Sequence, residues 1–233
     1  MAFAIGGFKV LLVDMDPQGS VRFSFGYKEP ITQGTRQLLA EPSIPLQEIA
    51  VSGNSQGIDY VFSNIETLGQ EQELGRMIAG PEALKKRLEA EGDNYDYIIL
   101  DAPASTGILT MNALAAADLV VLPLQCESLA VKSLKRFLLS FREMQRKHNP
   151  NLRIAGVLMT MYDRNLVVHR RVCKQMYETL TDSVFSTIIP KSKEITEASA
   201  LGQSVITYDI SSIGATAYIR LAKEILERFG NQR

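Results

Sequence analysis

Val10-Leu11-Leu12-Val13-Asp14-Met15-Asp16-Pro17-Gln18-Gly19 is the stretch whose reading decides the fold. Four consecutive apolar residues without alternation are the pattern of a strand buried on both faces, as in a parallel sheet. The run ends at an acid, and Pro17 and Gly19 then turn the chain. Outward from this point the pattern recurs in Tyr97-Ile98-Ile99-Leu100 before Asp101 and in Leu119-Val120-Val121-Leu122 before Pro123. It recurs again over 154–159, and 184–189 before Pro190 is a further candidate strand. Helical spacing fills the intervals: 82–91 with Pro81 as first helical residue, 107–117, 127–148, 166–180 and 214–229. Over 127–148, Val131, Leu134, Leu138 and Phe141 share one face. Alternating strands and helices predict one α/β domain over 1–233, a mostly parallel sheet with helices on both faces. Residues 27–75 hold Pro30, Pro42, Pro45 and several glycines, so short helices and loops are expected there. Residues 1–9 look like a helix tail, a glycine stop and the lead into a strand.

With 233 residues, 45% of them apolar, the chain is long enough for a sizeable core without disulfides or metals. The formal net charge of −1 sets up no global basic field, so any nucleic-acid contact needs a local patch. Cys126 and Cys173 are distant in sequence and read as reduced core residues. Neither His148 nor His169 falls at zinc-site spacing from them. No apolar run approaches the roughly 18–20 residues that cross a bilayer, and residues 1–9 are not a secretion signal.

Two motifs carry chemistry. Asp14 and Asp16 follow a buried strand, at the carboxyl edge where parallel sheets bind ligands. Two acids on a stiff turn suit Mg²⁺ held through water, or the positioning of an attacking water. They suit a helix cap or a surface turn equally well, and the motif alone does not choose. Tyr97 to Asp101 matches the Walker B pattern, in which the acid holds Mg²⁺, but buried strands often end in Asp.

Taken in order, the motifs are more specific. Asp101-Ala-Pro-Ala-Ser-Thr-Gly through Asp118, Val121-Leu-Pro-Leu-Gln-Cys-Glu127, Leu158-Met-Thr-Met-Tyr-Asp163, Ile189-Pro190 and Glu197-Ala198 with Gly202, Tyr208-Asp209 and Gly214-Ala215 resemble ParA/Soj partition ATPases of the MinD/ParA, deviant Walker A superfamily. The resemblance runs from about residue 2 to 228 and is thinnest over 27–75. It implies a P-loop NTPase-like fold, and ATP with Mg²⁺ as cofactors. It also implies a homodimer, a ParB-like partner protein, non-specific DNA binding and a cytoplasmic, nucleoid-associated location without membrane contact. By the same resemblance Asp16 is the catalytic, water-linked acid and Asp14 its strand-end partner. Asp101 is the Walker B acid, Asp16 and Asp101 approach the metal through water, and Pro190 packs the adenine. A nitrogenase-reductase-like or cobyrinate-amidating relative is disfavoured by the lack of cluster-ligand cysteines and by the Asp-Pro-Gln motif.

Departures accompany the resemblance. Ala102 and Ala104 stand where Cys and Pro are common, which is expected to loosen the loop after Asp101. Family members open with a strand and a Lys-Gly-Gly-x-Gly-Lys-Thr-type P-loop, whereas residues 2–7 match only the end of the helix after it. Backbone N–H groups and lysines of that loop cradle the phosphates, and Gly6-Gly7 precedes a strand, so it is no displaced P-loop. The first strand and P-loop are therefore expected to be missing and the chain as given inactive, with unpaired strand edges left inside the molecule. Met1 is read as an internal methionine taken for a start. The alternative is a degenerate, non-hydrolysing paralogue acting as a binding or regulatory module.

For DNA, Lys132, Lys135, Arg136, Arg142, Arg146 and Lys147 make one helix face basic, although a solvated face is the ordinary reading. Arg164, Arg170, Arg171 and Lys174 form a second cluster. Lys191 and Lys193 lie where the family places DNA-contacting residues, with Glu194 where an Arg is common. The DNA candidates carried forward are Lys191, Lys193, Arg170 and Arg171.

Overall fold

The structure is a computed structural model that describes residues 1–53, 57–105, 107–127 and 130–230. It begins with α1 (Ala2–Ile5), closed by Gly6 and by Gly7 at φ 89°, and then enters β1 (Val10–Asp14). Next come α2 (Ser20–Ser24), α3 (Thr35–Ala40), α4 (Leu46–Ile49), β2 (Val51–Ser52), β3 (Ile58–Val61), α5 (Leu68–Met77) and α6 (Ala83–Glu91). The second half runs β4 (Tyr97–Asp101), α7 (Ile108–Ala116), β5 (Leu119–Gln125), α8 (Ala130–His148), β6 (Arg153–Thr160) and α9 (Val167–Leu180). It closes with α10 (Lys193–Ala200), α11 (Val205–Tyr208) and α12 (Ile213–Phe229).

The strands form two sheets. One has the order β2-β3-β1-β4, and the other is β5-β6. Every ladder is parallel except β2 with β3. This is the α/β, P-loop NTPase-like architecture expected. β1 is paired on both sides, Val10 with Ile58 and with Tyr97, and at its far end Asp14 lies opposite Asp101. Alternate residues of β1 serve different cores. Leu11, Val13 and Met15 join Leu74, Leu84 and Leu109 on one face, and Val10 joins Tyr60 and Phe62 on the other. Around the second sheet, Val157 and Met159 pack with Val172 and Met176, while Ala155 and Leu158 pack with Phe185 and Ala217. A Cβ on Gly156 would come within 3.0 Å of the Phe185 ring, so the close approach needs glycine.

Several expectations change. Residues 184–189 do not form a strand: Val184 and Pro190 make isolated parallel bridges to Val157 and Tyr162. The cause is Glu224, whose buried carboxylate accepts the N–H groups of Ser186 (2.7 Å) and Thr187 (2.9 Å). Those donors are lost to a ladder. β3 was not foreseen within the loop-rich 27–75, where a four-residue strand hides among turn formers, nor was the ten-residue α5. β5 continues through Pro123 to Gln125; proline fits an edge strand, and β5 is one. Helix α6 starts at Ala83 with Glu82 as its cap, so Pro81 lies before the helix. Thr106 and the side chains of Val131, Lys132 and Lys135 lie outside the described residues.

The two sheets are separate among the described residues. β4 ends the first sheet, and among the described residues no ladder joins it to β5. Ile99, at the middle of β4, is 39% exposed.

Candidate functional site

Asp14, Asp16 and Asp101 converge at the carboxyl ends of β1 and β4. The parallel register places Asp14 beside Asp101, and the Met15 N–H donates to the Asp101 carbonyl at 2.9 Å. Asp14 is fully buried. Its carboxylate accepts the N–H of Asp16 at 3.1 Å and of Val21 at 3.3 Å. It therefore closes the turn and caps α2, so the helix-cap reading of this motif is right for Asp14. Asp16 accepts the Gln18 N–H at 2.9 Å and remains half-buried, and Asp101 is exposed.

Burial raises the Asp14 carboxyl to about 6, and the charges of Asp101 and Asp16 push the same way against the two N–H donors. Burial, then Asp16, also raises Asp101. Three carboxylates held close without a neutralising charge favour a cation. Among the described residues, no group of three or more His, Cys, Asp or Glu could hold a metal ion directly. A hydrated Mg²⁺ keeps several waters and takes only one or two carboxylates, and Asp16 and Asp101 are the two that would meet it here. The described residues do not fit the phosphates of a nucleotide in the same way. The helix N-terminus at this turn, α2, spans five residues, and Asp14 already takes its Val21 N–H.

Sequence reasoning missed two residues here. Thr35 is fully buried, and its hydroxyl donates to the Asp14 carbonyl at 2.5 Å. Gly34 makes this possible, because a Cβ there would lie 2.3 Å from the Phe62 carbonyl. The only signal was a Gly-Thr pair before a short helix. Ser63, beyond β3, has a buried hydroxyl without a hydrogen-bond partner, and it lies against Gly19 of the acid turn. In the loop after Asp101, the carbonyls of Ser105 (2.7 Å) and Pro103 (3.2 Å) accept from the Thr110 hydroxyl.

Pro190 lies beside the other sheet, in an isolated bridge to Tyr162. The Tyr162 N–H donates to the Ile189 carbonyl, and the Lys191 N–H donates to the Tyr162 carbonyl. Pro190 lines a cleft of about 600 Å³ with Tyr162, Thr187, Ile213, Thr216 and Arg220. Lys191, Lys193, Arg170 and Arg171 are all exposed. Arg170 donates to the Arg164 carbonyl at 2.6 Å, while Lys191 and Lys193 flank the start of α10. The Gly26–Gly202 contact joins α2 to the end of α10, since a Cβ on Gly202 would lie 2.4 Å from the Gly26 Cα. Among the described residues no helix is long and apolar enough to cross a membrane.

Known proteins are similar to this chain in sequence and in fold. The sequence model of a family described as an AAA domain matches residues 1–154. The sporulation initiation inhibitor protein Soj of Bacillus subtilis is 38% identical over 94% of this chain and 87% of its own. The chromosome partitioning protein ParA of Caulobacter vibrioides is 34% identical over 97% of this chain and 86% of its own. Among solved structures, cobyrinic acid a,c-diamide synthase from Mycobacterium smegmatis with bound ADP and magnesium superposes with a TM-score of 0.81 at 31% identity, covering 100% of this chain and 87% of that one. A plasmid partition protein from Borrelia burgdorferi bound to AMPPNP shares the fold, with a TM-score of 0.76 at 22% identity over 99% of this chain and 90% of that one.

Proposed function

The chain belongs to the ParA/Soj family of partition ATPases, and on that footing we propose that residues 1–233 form one domain carrying the metal-and-water half of a Mg·ATP site. The observation that carries this reading is the register of Asp14 against Asp101, with Asp16 on the turn that follows β1. Asp101 and Asp16 would hold a hydrated Mg²⁺, and Asp16 would orient the attacking water. Asp14 shapes the turn and takes no part in catalysis. Magnesium, when bound, neutralises the charge that develops on the transferring phosphoryl group. Tyr162 and Pro190 pack the adenine in the cleft below β6.

The phosphate cradle is the other half. The open β4 edge supports the idea that a further parallel strand, carrying a glycine-rich loop, completes both sheet and site. ATP then closes a homodimer, the dimer binds DNA through Lys191, Lys193, Arg170 and Arg171, and a ParB-like protein stimulates hydrolysis. Contacts of this kind are phosphate-driven and weaken steeply with salt. The location is the cytoplasm, at the nucleoid.

Titration calorimetry tests the reading. Residues 1–233 alone are expected to show no heat with Mg·ATP. The chain extended through its upstream reading frame is expected to bind and hydrolyse ATP, with hydrolysis lost in Asp16→Ala while binding remains. Micromolar Mg·ATP binding by residues 1–233 would overturn the two-halves reading. A stop codon directly before Met1 would favour the non-hydrolysing paralogue.

A further inference from the structure

We propose that Cys126 and Cys173 form a reversible oxidation site, at which a peroxide closes an intramolecular disulfide that staples the end of β5 to helix α9. In sequence the two residues are 47 positions apart, yet their sulfurs lie 3.6 Å from one another. Both are free thiols, buried at 1% and 7% exposure. Each projects into the same apolar cluster, with Leu124, Val157, Met159, Val172 and Met176 around them. A disulfide needs the sulfurs at about 2.05 Å, so side-chain rotation must close roughly 1.5 Å. Contacting sulfurs from two separate elements leave nothing else to be moved aside. The chain contains only these two cysteines, so one intramolecular pairing exists. Among the described residues no third ligand stands by them, which leaves a metal site without its donors.

The chemistry balances with hydrogen peroxide as oxidant. One thiol ionises, and its sulfur attacks a peroxide oxygen. The O–O bond breaks, hydroxide leaves and takes up the released proton, and a sulfenic acid remains. The second thiol attacks that sulfur, the S–S bond forms, and the S–O bond breaks to release water. Overall the two thiols lose two hydrogens and two electrons, and the peroxide becomes two waters. The reaction is slow at neutral pH, because burial, then hydrogen bonding and charge from Cys173, pushes the Cys126 thiol up to about 12. The thiolate is the nucleophile, so the rate rises with pH.

The folded protein is exposed to hydrogen peroxide, the excess is removed with catalase, and thiols are counted after denaturation, alongside intact mass. Both thiols are expected to disappear together, with a mass loss of two hydrogens and no covalent dimer on a non-reducing gel. A peptide map should contain one linked pair, and dithiothreitol should restore both thiols. The oxidised protein should melt at a higher temperature than the reduced protein, with the difference abolished by dithiothreitol. Cys173→Ala is expected to lose the linked pair and the melting shift, and wild type alone still carries the test if that variant fails to fold. Two thiols persisting in the folded protein while the unfolded chain oxidises would overturn the proposal. So would independent oxidation of each sulfur to sulfinic acid, or linkage between two molecules.

Discussion

Strands β1 and β4 lie side by side in register and share one sequence pattern, four apolar residues ending in Asp. Their surroundings differ. β1 pairs on both sides and buries Val10, Leu11, Val13 and Asp14. Among the described residues β4 forms a ladder with β1 alone, and Ile99 and Asp101 are exposed. The pattern therefore encodes what a strand requires and not what it receives. β4 has the composition of an inner strand at an open edge, and natural proteins rarely leave such edges uncovered.

The contrast can be broken most directly in β1. Leu11→Ala removes a fully buried side chain from the core of the first sheet. It is expected to lower the unfolding free energy by about 2–5 kcal/mol, measured by urea denaturation. A cost below about 1 kcal/mol would mean that β1 is not the packed centre of the sheet.

The second sheet shows how an edge is covered. Beyond β6, residues 184–190 run alongside without forming a strand, and Glu224 holds their N–H groups while pairing with Arg228 at 2.5 Å. Glu224→Gln keeps the size but loses the charge on both contacts. It is expected to cost about 1–3 kcal/mol. Hydrogen exchange should accelerate first at Ser186 and Thr187, turning a covered edge into one resembling β4. Protection unchanged at those two amides would sink this account.

At the far ends of β1 and β4 the comparison is electrostatic. Asp14 titrates near 6 when folded, against an ordinary 3.8. The folded state holds that proton more tightly. The stability this contributes is complete below the ordinary value and is lost as pH rises through about 6. Asp14→Asn removes the buried charge and keeps an oxygen for one N–H. It is expected to stabilise the protein at pH 7 by about 1–2 kcal/mol and to flatten the fall in stability between about pH 4 and 6. A destabilised variant with the slope intact would assign that slope to other groups.

How much of this could be read from the sequence depended on which physical signal each element carried. Apolar runs located β1, β4, β5 and β6, the first and second of them ending in acids, because burial on both faces leaves a local imprint. The long helices were visible in their spacing for the same reason. β3 was missed because four residues are too few to stand out among turn formers. The loss of a strand at 184–189 depended on Glu224, 37 residues beyond Thr187, which no local pattern reveals. Within the site, the acids were legible as residues but their division of labour was not. Asp14 caps α2, a fact that depends on Val21 folding back. Thr35 and the Cys126–Cys173 contact are products of tertiary structure alone.

The smallest expected effect sits on β4 itself. Ile99 is 39% exposed at the middle of an unpaired edge. Threonine retains the β-branched shape that suits a strand and replaces an ethyl group with a hydroxyl that water satisfies. Ile99→Thr is therefore expected to change stability by less than about 1 kcal/mol in residues 1–233, in contrast to any truncation in β1. If a further strand covers this edge in an extended chain, the same substitution there buries the hydroxyl and the ethyl group is missed. The cost should then rise to about 1–3 kcal/mol. Measuring Ile99→Thr in both lengths by denaturation compares β4 with β1 directly. Equal small costs in the two lengths would mean that the edge stays open and that the sheet is not completed at β4.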